Sequence, residues 1–382
     1  MYESGLVCRE CGASYSTSEP LIQCDECGGM LEVMYDYGEL SSRVNWNKIS
    51  RRPPDIWRYG EFLPLCLKQK TMGEGKTPLV DSTWFGELLD LNLKFKLDFL
   101  NPTGSFKDRG TAVVAAKAKE LGQKKVADDS SGNAGASLAA YASRLGLESV
   151  IYTPEGTPED KLAQIKAYGA DLNRIPGPRD NARQAIEEDY LKSDFYYTSH
   201  NKNPFFVEGN KTIAYEIYEE LGGKVPDHLA LPVGGGSLFL GAYKGFCELK
   251  RLGLIKDLPK MHCIQSSACD PIAEAFRRGE KEPVPVEAKE SVAGGIHIAS
   301  PPHGKWILQA LKEVKGLALS VEEEKISSER LELSRKEGIY REPTSAVSIL
   351  GLKKLINKNA VKPVQSVVLP LTGIGLKDRK TG

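Results

Sequence analysis

The chain has 382 residues, 41% of them hydrophobic and 27% charged, with 51 basic residues balanced by 51 acidic ones. At roughly 100–200 residues per domain this is two or three domains with enough apolar material for packed cores, which excludes wholesale disorder. Zero net charge excludes a partner held by bulk charge, so no nucleic acid and no anionic membrane surface is expected, and no apolar run approaches the ~20 residues of a membrane span. The N-terminus lacks a basic region followed by an apolar stretch, so a soluble, cytoplasmic protein is expected.

The chain opens with two knuckles, Cys8-Arg-Glu-Cys11 and Cys24-Asp-Glu-Cys27. Each C-x2-C turn aims two thiolates at one point, and together they supply the four soft ligands of a tetrahedral Zn²⁺ site. Gly12 and Gly28, just after the second Cys of each pair, suit the left-handed geometry of such turns. Two disulfides or four free thiols are the alternatives, and the missing export signal disfavours disulfides. Four thiolates leave no open position for water, so the metal would be structural. Residues 1–40 carry eight acidic side chains against the single basic Arg9, so this ribbon would repel a phosphate backbone. Cys66, Cys247, Cys263 and Cys269 are expected to be small core residues.

Residues 41–75 carry Trp46, Trp57, Pro53, Pro54 and Pro64 and read as an irregular connector. Gly73-Glu-Gly75-Lys76-Thr77 imitates the end of a phosphate-binding P-loop. The position that needs the first Gly is Lys70, however, and Pro78 follows, so the motif is rejected. From Leu93 onward, strand-like runs alternate with helical ones: Leu93–Phe99, Thr111–Leu121, Lys125–Asp128, Ala134–Leu145, Ser149–Thr153 and Glu159–Tyr168. The alternation resumes at Asn210–Leu221 and continues to Ser366–Leu369. Short strands between helices mean βαβ units, hence an α/β fold with mostly parallel sheets.

In such folds ligands sit beyond the carboxyl ends of strands, where loops lead into helices. Four loops there are chemically unusual. Asn101–Gly110 (NPTGSFKDRG) sets Lys107 at a helix start, where the helix dipole and partial burial lower an amine pKa as a Schiff-base lysine requires. Ser130–Ser137 (SSGNAGAS) opens a helix with hydroxyls, amides and glycines able to hold a carboxylate. Gly234-Gly235-Gly236-Ser237 lets backbone N–H groups wrap a phosphate, and no Gly-x-Gly-x-x-Gly follows, so a dinucleotide is not indicated. Leu371–Asp378 (LTGIGLKD) is another strand running into a glycine-rich turn. An amine, an anion cradle and an Asn/Ser loop on one α/β scaffold suggest pyridoxal phosphate.

These segments, together with Asn203–Thr212 (NPFFVEGNKT), Ala293–Pro302 (AGGIHIASPP), Glu342–Ala346 (EPTSA) and the four-Cys ribbon, resemble threonine synthases of the archaeal kind. Those enzymes are members of the tryptophan-synthase-β-like, fold type II pyridoxal-phosphate enzymes. The resemblance implies two open α/β domains plus a small zinc-ribbon-like segment. The implied layout is a ribbon over 1–40, a large cofactor domain from 41–110 and 205–382, and a small substrate-closing domain over 111–204. Lys107 would bond the cofactor's aldehyde and act as the catalytic base. Asn133 would meet its phenolic oxygen, Gly234, Gly235, Gly236 and Ser237 its phosphate, and Thr372 its pyridine nitrogen, where a hydroxyl would not keep the ring strongly protonated. Ser130, Ser131 and Gly132 would take the carboxylate of a small-molecule amino-acid substrate, with Glu342 placed near the cofactor. The implied reaction turns O-phosphohomoserine and water into threonine and phosphate, and the implied assembly is a homodimer. The runner-up within the same superfamily is β-elimination or β-replacement on serine, threonine or a phospho-amino acid. Two departures stand out: Phe206 where relatives commonly have an Arg for the substrate phosphate, and Ala134 where many have Thr. Lys211, His200, Asn201 and Arg109 are the candidates to replace the missing charge.

Overall fold

A computed structural model describes residues 2–66 and 70–378. Arg379 and Lys380 lie outside the described residues. The strands in chain order are β1 (Glu3–Cys8), β2 (Ser14–Tyr15), β3 (Leu31–Tyr35), β4 (Leu79–Asp81), β5 (Asn92–Lys96), β6 (Lys125–Asp128), β7 (Glu148–Pro154), β8 (Asp171–Ile175), β9 (Tyr196–Tyr197), β10 (His228–Pro232), β11 (Lys260–Ser266), β12 (Ala318–Val321) and β13 (Ser366–Pro370). The chain forms two compact units. The smaller comprises Met1–Lys76, Asn101–Thr103 and Lys107–Thr212; the larger comprises Thr77–Leu100, Gly104–Phe106 and Ile213–Gly382.

In the smaller unit β2-β1-β3 form an antiparallel ribbon sheet, and β8-β7-β6-β9 form a wholly parallel sheet. The ribbon strands alternate burial, so Leu6, Leu31, Val33 and Tyr35 face inward. Those side chains share one apolar core with Val113, Val114, Val126 and Phe205, so the ribbon is part of this unit's core. Ile56 and Leu63 of the connector join the same core. The layout implied by the sequence put 41–110 with the large domain; the structure groups everything up to Lys76 with the small one, and this shared core is the reason. The connector itself is a run of short helices, Tyr37–Arg43, Trp46–Ile49 and the 3₁₀ turn Ile56–Phe62.

In the larger unit the sheet runs β12-β11-β10-β13-β5-β4, parallel throughout except for the edge strand β4. Burial of β10 on every residue matches its apolar sequence, as expected where helices cover both faces of a parallel sheet. The false P-loop has a structural use in the smaller unit: Glu74 is buried and accepts from Trp57 Nε1 and from Tyr141 Oη at 3.1 Å. Among the remaining cysteines, Cys263 and Cys269 are buried as expected, Cys247 is half-buried, and Cys66 is exposed because it lies in the irregular connector. Among the described residues no helix is long and apolar enough to cross a membrane.

Two glycines set how closely helices approach in the smaller unit. The helix Lys107–Glu120 lies against the helix Pro204–Asn210. A Cβ on Gly209 would collide with the Arg109 carbonyl oxygen, and one on Gly110 would come within 2.6 Å of the Phe206 ring. Backbone sits on backbone there, and only glycine permits it. Gly209→Ala is expected to destabilise the protein by about 1–3 kcal/mol or more, read as a fall in the urea unfolding midpoint; an unchanged midpoint would contradict the packing described.

Candidate active site

Lys107 is the first residue of its helix and is half-buried. Its Nζ lies 5.6 Å from the centroid of the Phe206 ring, over a face that favours a cation. Asp108, next in the chain, is fully buried and accepts from Thr103 N, Thr103 Oγ1 and Ser137 Oγ, each at 2.6 Å. Ser137 belongs to the helix Asn133–Leu145. One carboxylate therefore ties the Asn-Pro-Thr turn and the Asn133 helix to the helix start that carries Lys107. Asn133 opens its helix behind Gly132, a cap without a side-chain hydrogen bond. The loop folds tightly before it: a Cβ on Gly135 would strike the Ser130 carbonyl oxygen, and Gly132 N–H reaches Ser130 Oγ at 3.3 Å. Ser130, Ser131 and Gly132 thus curl over the helix N-terminus, the geometry that offers N–H groups to a carboxylate.

The same carboxyl edge of the parallel sheet holds a buried cluster that the sequence reading missed. Asp128 ends β6, and His200 follows β9 after Thr198 and Ser199. His200 Nδ1 lies 3.1 and 3.2 Å from the two Asp128 oxygens, and Asn201 Nδ2 donates to His200 Nε2 at 3.1 Å. That donor makes Nε2 the acceptor and Nδ1 the nitrogen that carries the proton. Burial pushes the Asp128 carboxyl up and the His200 imidazole well below its usual range, and the charge of Lys107 acts on both groups. The imidazole ring meets Phe206 edge-on at 6.2 Å. Two adjacent acids at the end of an apolar strand were the available signal, because burying such a pair requires partners.

The four candidates to replace the absent arginine are held by internal bonds. Arg109 is fully buried and donates to Thr212 Oγ1 at 3.0 Å. Lys211 is fully buried, 2.6 Å from Glu208 and 4.1 Å above the Tyr35 ring. His200 and Asn201 bond each other, and His200 bonds Asp128. Phe206 is itself buried against Gly110, so a long cationic side chain has no place at that position without rearrangement. Ala134 is likewise buried.

The larger unit carries the other expected loops. Gly234, Gly235 and Gly236 leave β10 and run into the 15-residue helix Ser237–Arg251. Gly236 has φ +101° and caps that helix; a Cβ there would strike Ile307 Cδ1, and one on Gly234 would lie 2.7 Å from Ile296 Cα. The Ala293–Ile296 stretch thus packs directly on the glycine loop. Bare backbone at a helix N-terminus beyond a parallel strand is a cradle suited to a phosphate group. Ser237 is the first helical residue and is buried. Beyond β13, the Thr372 N–H donates to Ser345 Oγ at 2.9 Å and Thr372 Oγ1 donates to Glu342 Oε1 at 3.1 Å. The Thr372 carbonyl accepts from Phe106 N at 3.0 Å, which ties it to the residue just before Lys107. The smaller unit thus carries the lysine and the amide loop, and the larger unit the glycine cradle and the hydroxyl, that the sequence resemblance assigns to pyridoxal phosphate.

The four thiols of the ribbon converge. Their Sγ atoms all lie within 4.8 Å of one another, with Cys8–Cys27 at 3.5 Å and Cys11–Cys24 at 3.6 Å. Ligands about 2.3 Å from a tetrahedral zinc stand roughly 3.8 Å apart, so the set fits that ion. Gly12 and Gly28 both have positive φ, and each N–H closes its knuckle onto the first Cys carbonyl, at 3.0 and 2.9 Å. Asp108→Ala would strip three donors of their acceptor; a loss of about 3 kcal/mol or more is expected in urea unfolding, with Asp108→Asn recovering part of it.

Residues 70–373 match the model of the family described as pyridoxal-phosphate dependent enzyme. The chain is 40% identical to the threonine synthase of Methanocaldococcus jannaschii, over 97% of this chain and 92% of that one. It is 39% identical to the threonine synthase of Methanosarcina acetivorans, over 98% and 93%. The fold is shared with the processed form of threonine deaminase isoform 2 from Solanum lycopersicum at a TM-score of 0.68 and 22% identity, over 78% of this chain and 79% of that one. It is shared also with an L-serine ammonia-lyase of Rhizomucor miehei at a TM-score of 0.68 and 21% identity, over 78% and 93%. The chain therefore belongs to the threonine synthase family of pyridoxal-phosphate dependent enzymes.

Proposed function

We propose that the protein converts O-phosphohomoserine and water into threonine and phosphate. The observation that carries this is the near-full-length likeness to threonine synthases at 39–40% identity, together with a lysine at a helix start and a glycine cradle at another. Bound pyridoxal phosphate would supply an electron-withdrawing ring that stabilises negative charge on the substrate.

The roles fall to the residues as follows. Lys107 would hold the cofactor's aldehyde carbon, and its amine is the base placed to move protons at the substrate's α and β carbons. The Phe206 ring, 5.6 Å from its Nζ, offers a face that favours the protonated amine. Asn133 bonds the cofactor's phenolic oxygen. Gly234, Gly235, Gly236 and Ser237 bind its phosphate, and Thr372 faces its ring nitrogen. Ser130, Ser131 and Gly132 orient the substrate carboxylate. Cys8, Cys11, Cys24 and Cys27 hold a structural Zn²⁺ that fixes the ribbon in the small unit's core. A homodimer in the cytoplasm is the setting that the family resemblance supports.

Phe206 favours keeping a second reading in the same test: an enzyme that eliminates or replaces at the β carbon of serine, threonine or O-phosphoserine. Phosphate release from O-phosphohomoserine with threonine as product is the expected result, abolished in Lys107→Ala. Turnover of serine, threonine or O-phosphoserine in its place would overturn the assignment in favour of the second reading. For the ribbon, elemental analysis is expected to find one zinc per chain, lost in Cys24→Ala with a loss of thermal stability; metal-free protein of unchanged stability would remove the structural role.

A further inference from the structure

The glycine loop of the larger unit starts from a residue that is held at both its backbone groups. Val233 follows Pro232, the last residue of β10, and is buried. Its N–H donates to the Ile264 carbonyl at 2.9 Å. Its own carbonyl accepts from a side chain, Gln265 Nε2, at 3.1 Å. Gln265 lies in β11 and is fully buried. Its Oε1 accepts from Ile272 N at 2.8 Å and from Ala273 N at 3.0 Å. Those two N–H groups belong to the first turn of the helix Pro271–Arg278, whose N-cap residue Asp270 makes no side-chain cap bond. Two N–H donors fix which end of the amide is oxygen, and the Val233 carbonyl fixes which end is nitrogen. One neutral side chain therefore joins the root of the glycine loop to the start of a neighbouring helix.

Three consecutive glycines leave a loop with more backbone freedom than any other residues would. A cradle of N–H groups binds an anion tightly only when that freedom is removed beforehand, because ordering it on binding costs affinity. The far end of the loop is fixed by the helix that begins at Ser237, with Gly236 against Ile307. The near end is fixed at Val233, by main chain on one side and by Gln265 on the other. We infer that Gln265 is a positioning residue for the phosphate cradle, holding the peptide from which the glycine loop departs so that its N–H groups are set before the cofactor arrives. This deepens the reading above, since it rests on that loop binding the cofactor's phosphate. It also explains a fully buried glutamine beside Ile264 and Cys263: a buried amide is tolerated where its hydrogen-bonding positions are filled, and one donor and two acceptor positions are filled here.

Gln265→Met keeps the length of the side chain and removes both ends of the link. The full-length protein, stripped of cofactor, is titrated with pyridoxal phosphate and separately with pyridoxal, which has the same ring and aldehyde but no phosphate. The ratio of the two Kd values reads the preference for the phosphate. Q265M is expected to lower that preference about tenfold, through a weaker Kd for pyridoxal phosphate with the Kd for pyridoxal little changed. Gln265→Asn, whose shorter stem cannot span Val233 and the helix together, is expected to change the ratio in the same direction and carries the test if Q265M does not fold. A folded variant with the wild-type ratio, or one that loses affinity for both compounds equally, overturns the inference: the first shows no link to the cradle, the second only a general support of the fold. Either leaves the cofactor reading standing. A wild-type protein that binds pyridoxal phosphate no more tightly than pyridoxal overturns the assignment of the glycine loop itself, and the inference with it.

Discussion

The smaller unit depends on one steric permission: two helices touch backbone to backbone because Gly110 and Gly209 carry no side chains. That contact brings the Phe206 ring onto the helix start that presents Lys107. The same helix of residues 204–210 carries Glu208, which is fully buried and binds Tyr35 Oη at 2.6 Å and Lys211 Nζ at 2.6 Å. Tyr35 ends a ribbon strand, so the four-cysteine segment braces the helix that supports the lysine. Buried ion pairs of this kind are poor sources of net stability but strict about geometry, and removing one partner strands the other's charge.

Charge is handled differently at the two sets of expected cofactor residues. Around Lys107, ionisable groups are buried in hydrogen-bonded sets, Asp108 with Thr103 and Ser137, and Asp128 with His200. Around the glycine loop the structure offers backbone instead, at the start of a long helix. The contrast fits the chemistry. A phosphate is best met by many fixed N–H dipoles, whereas an amine that must gain and lose protons needs neighbours whose own protonation is already settled.

The loops were legible in the sequence because their chemistry needs residue types that stand out locally. Gly236 with its positive φ, the Lys107 helix start and the paired C-x2-C turns each occupy a few consecutive positions. Strands and helices with strong apolar patterning were legible too, and β6 falls on the expected Lys125–Asp128. Strand β8 and the helix Arg179–Tyr190 were not, because Asp171-Leu-Asn-Arg-Ile175 buries no residue fully and the helix is largely charged. What sequence reading could not reach were contacts between distant positions: Asp128 with His200, 72 residues apart, and Tyr35 with Glu208, 173 apart. Phe206 is the instructive case. In sequence it reads as a charge that relatives have and this chain lacks; in the structure it is a packing surface that fits Gly110 and lies beneath the lysine amine.

The central claim is that the Lys107 side chain is the point of covalent attachment for the cofactor. Borohydride reduction of the cofactor-loaded protein, followed by peptide mass mapping, tests it most directly. The account predicts a reduced pyridoxyl adduct on the peptide containing Lys107 and on no other; an unmodified Lys107, or an adduct on a different lysine, would contradict it.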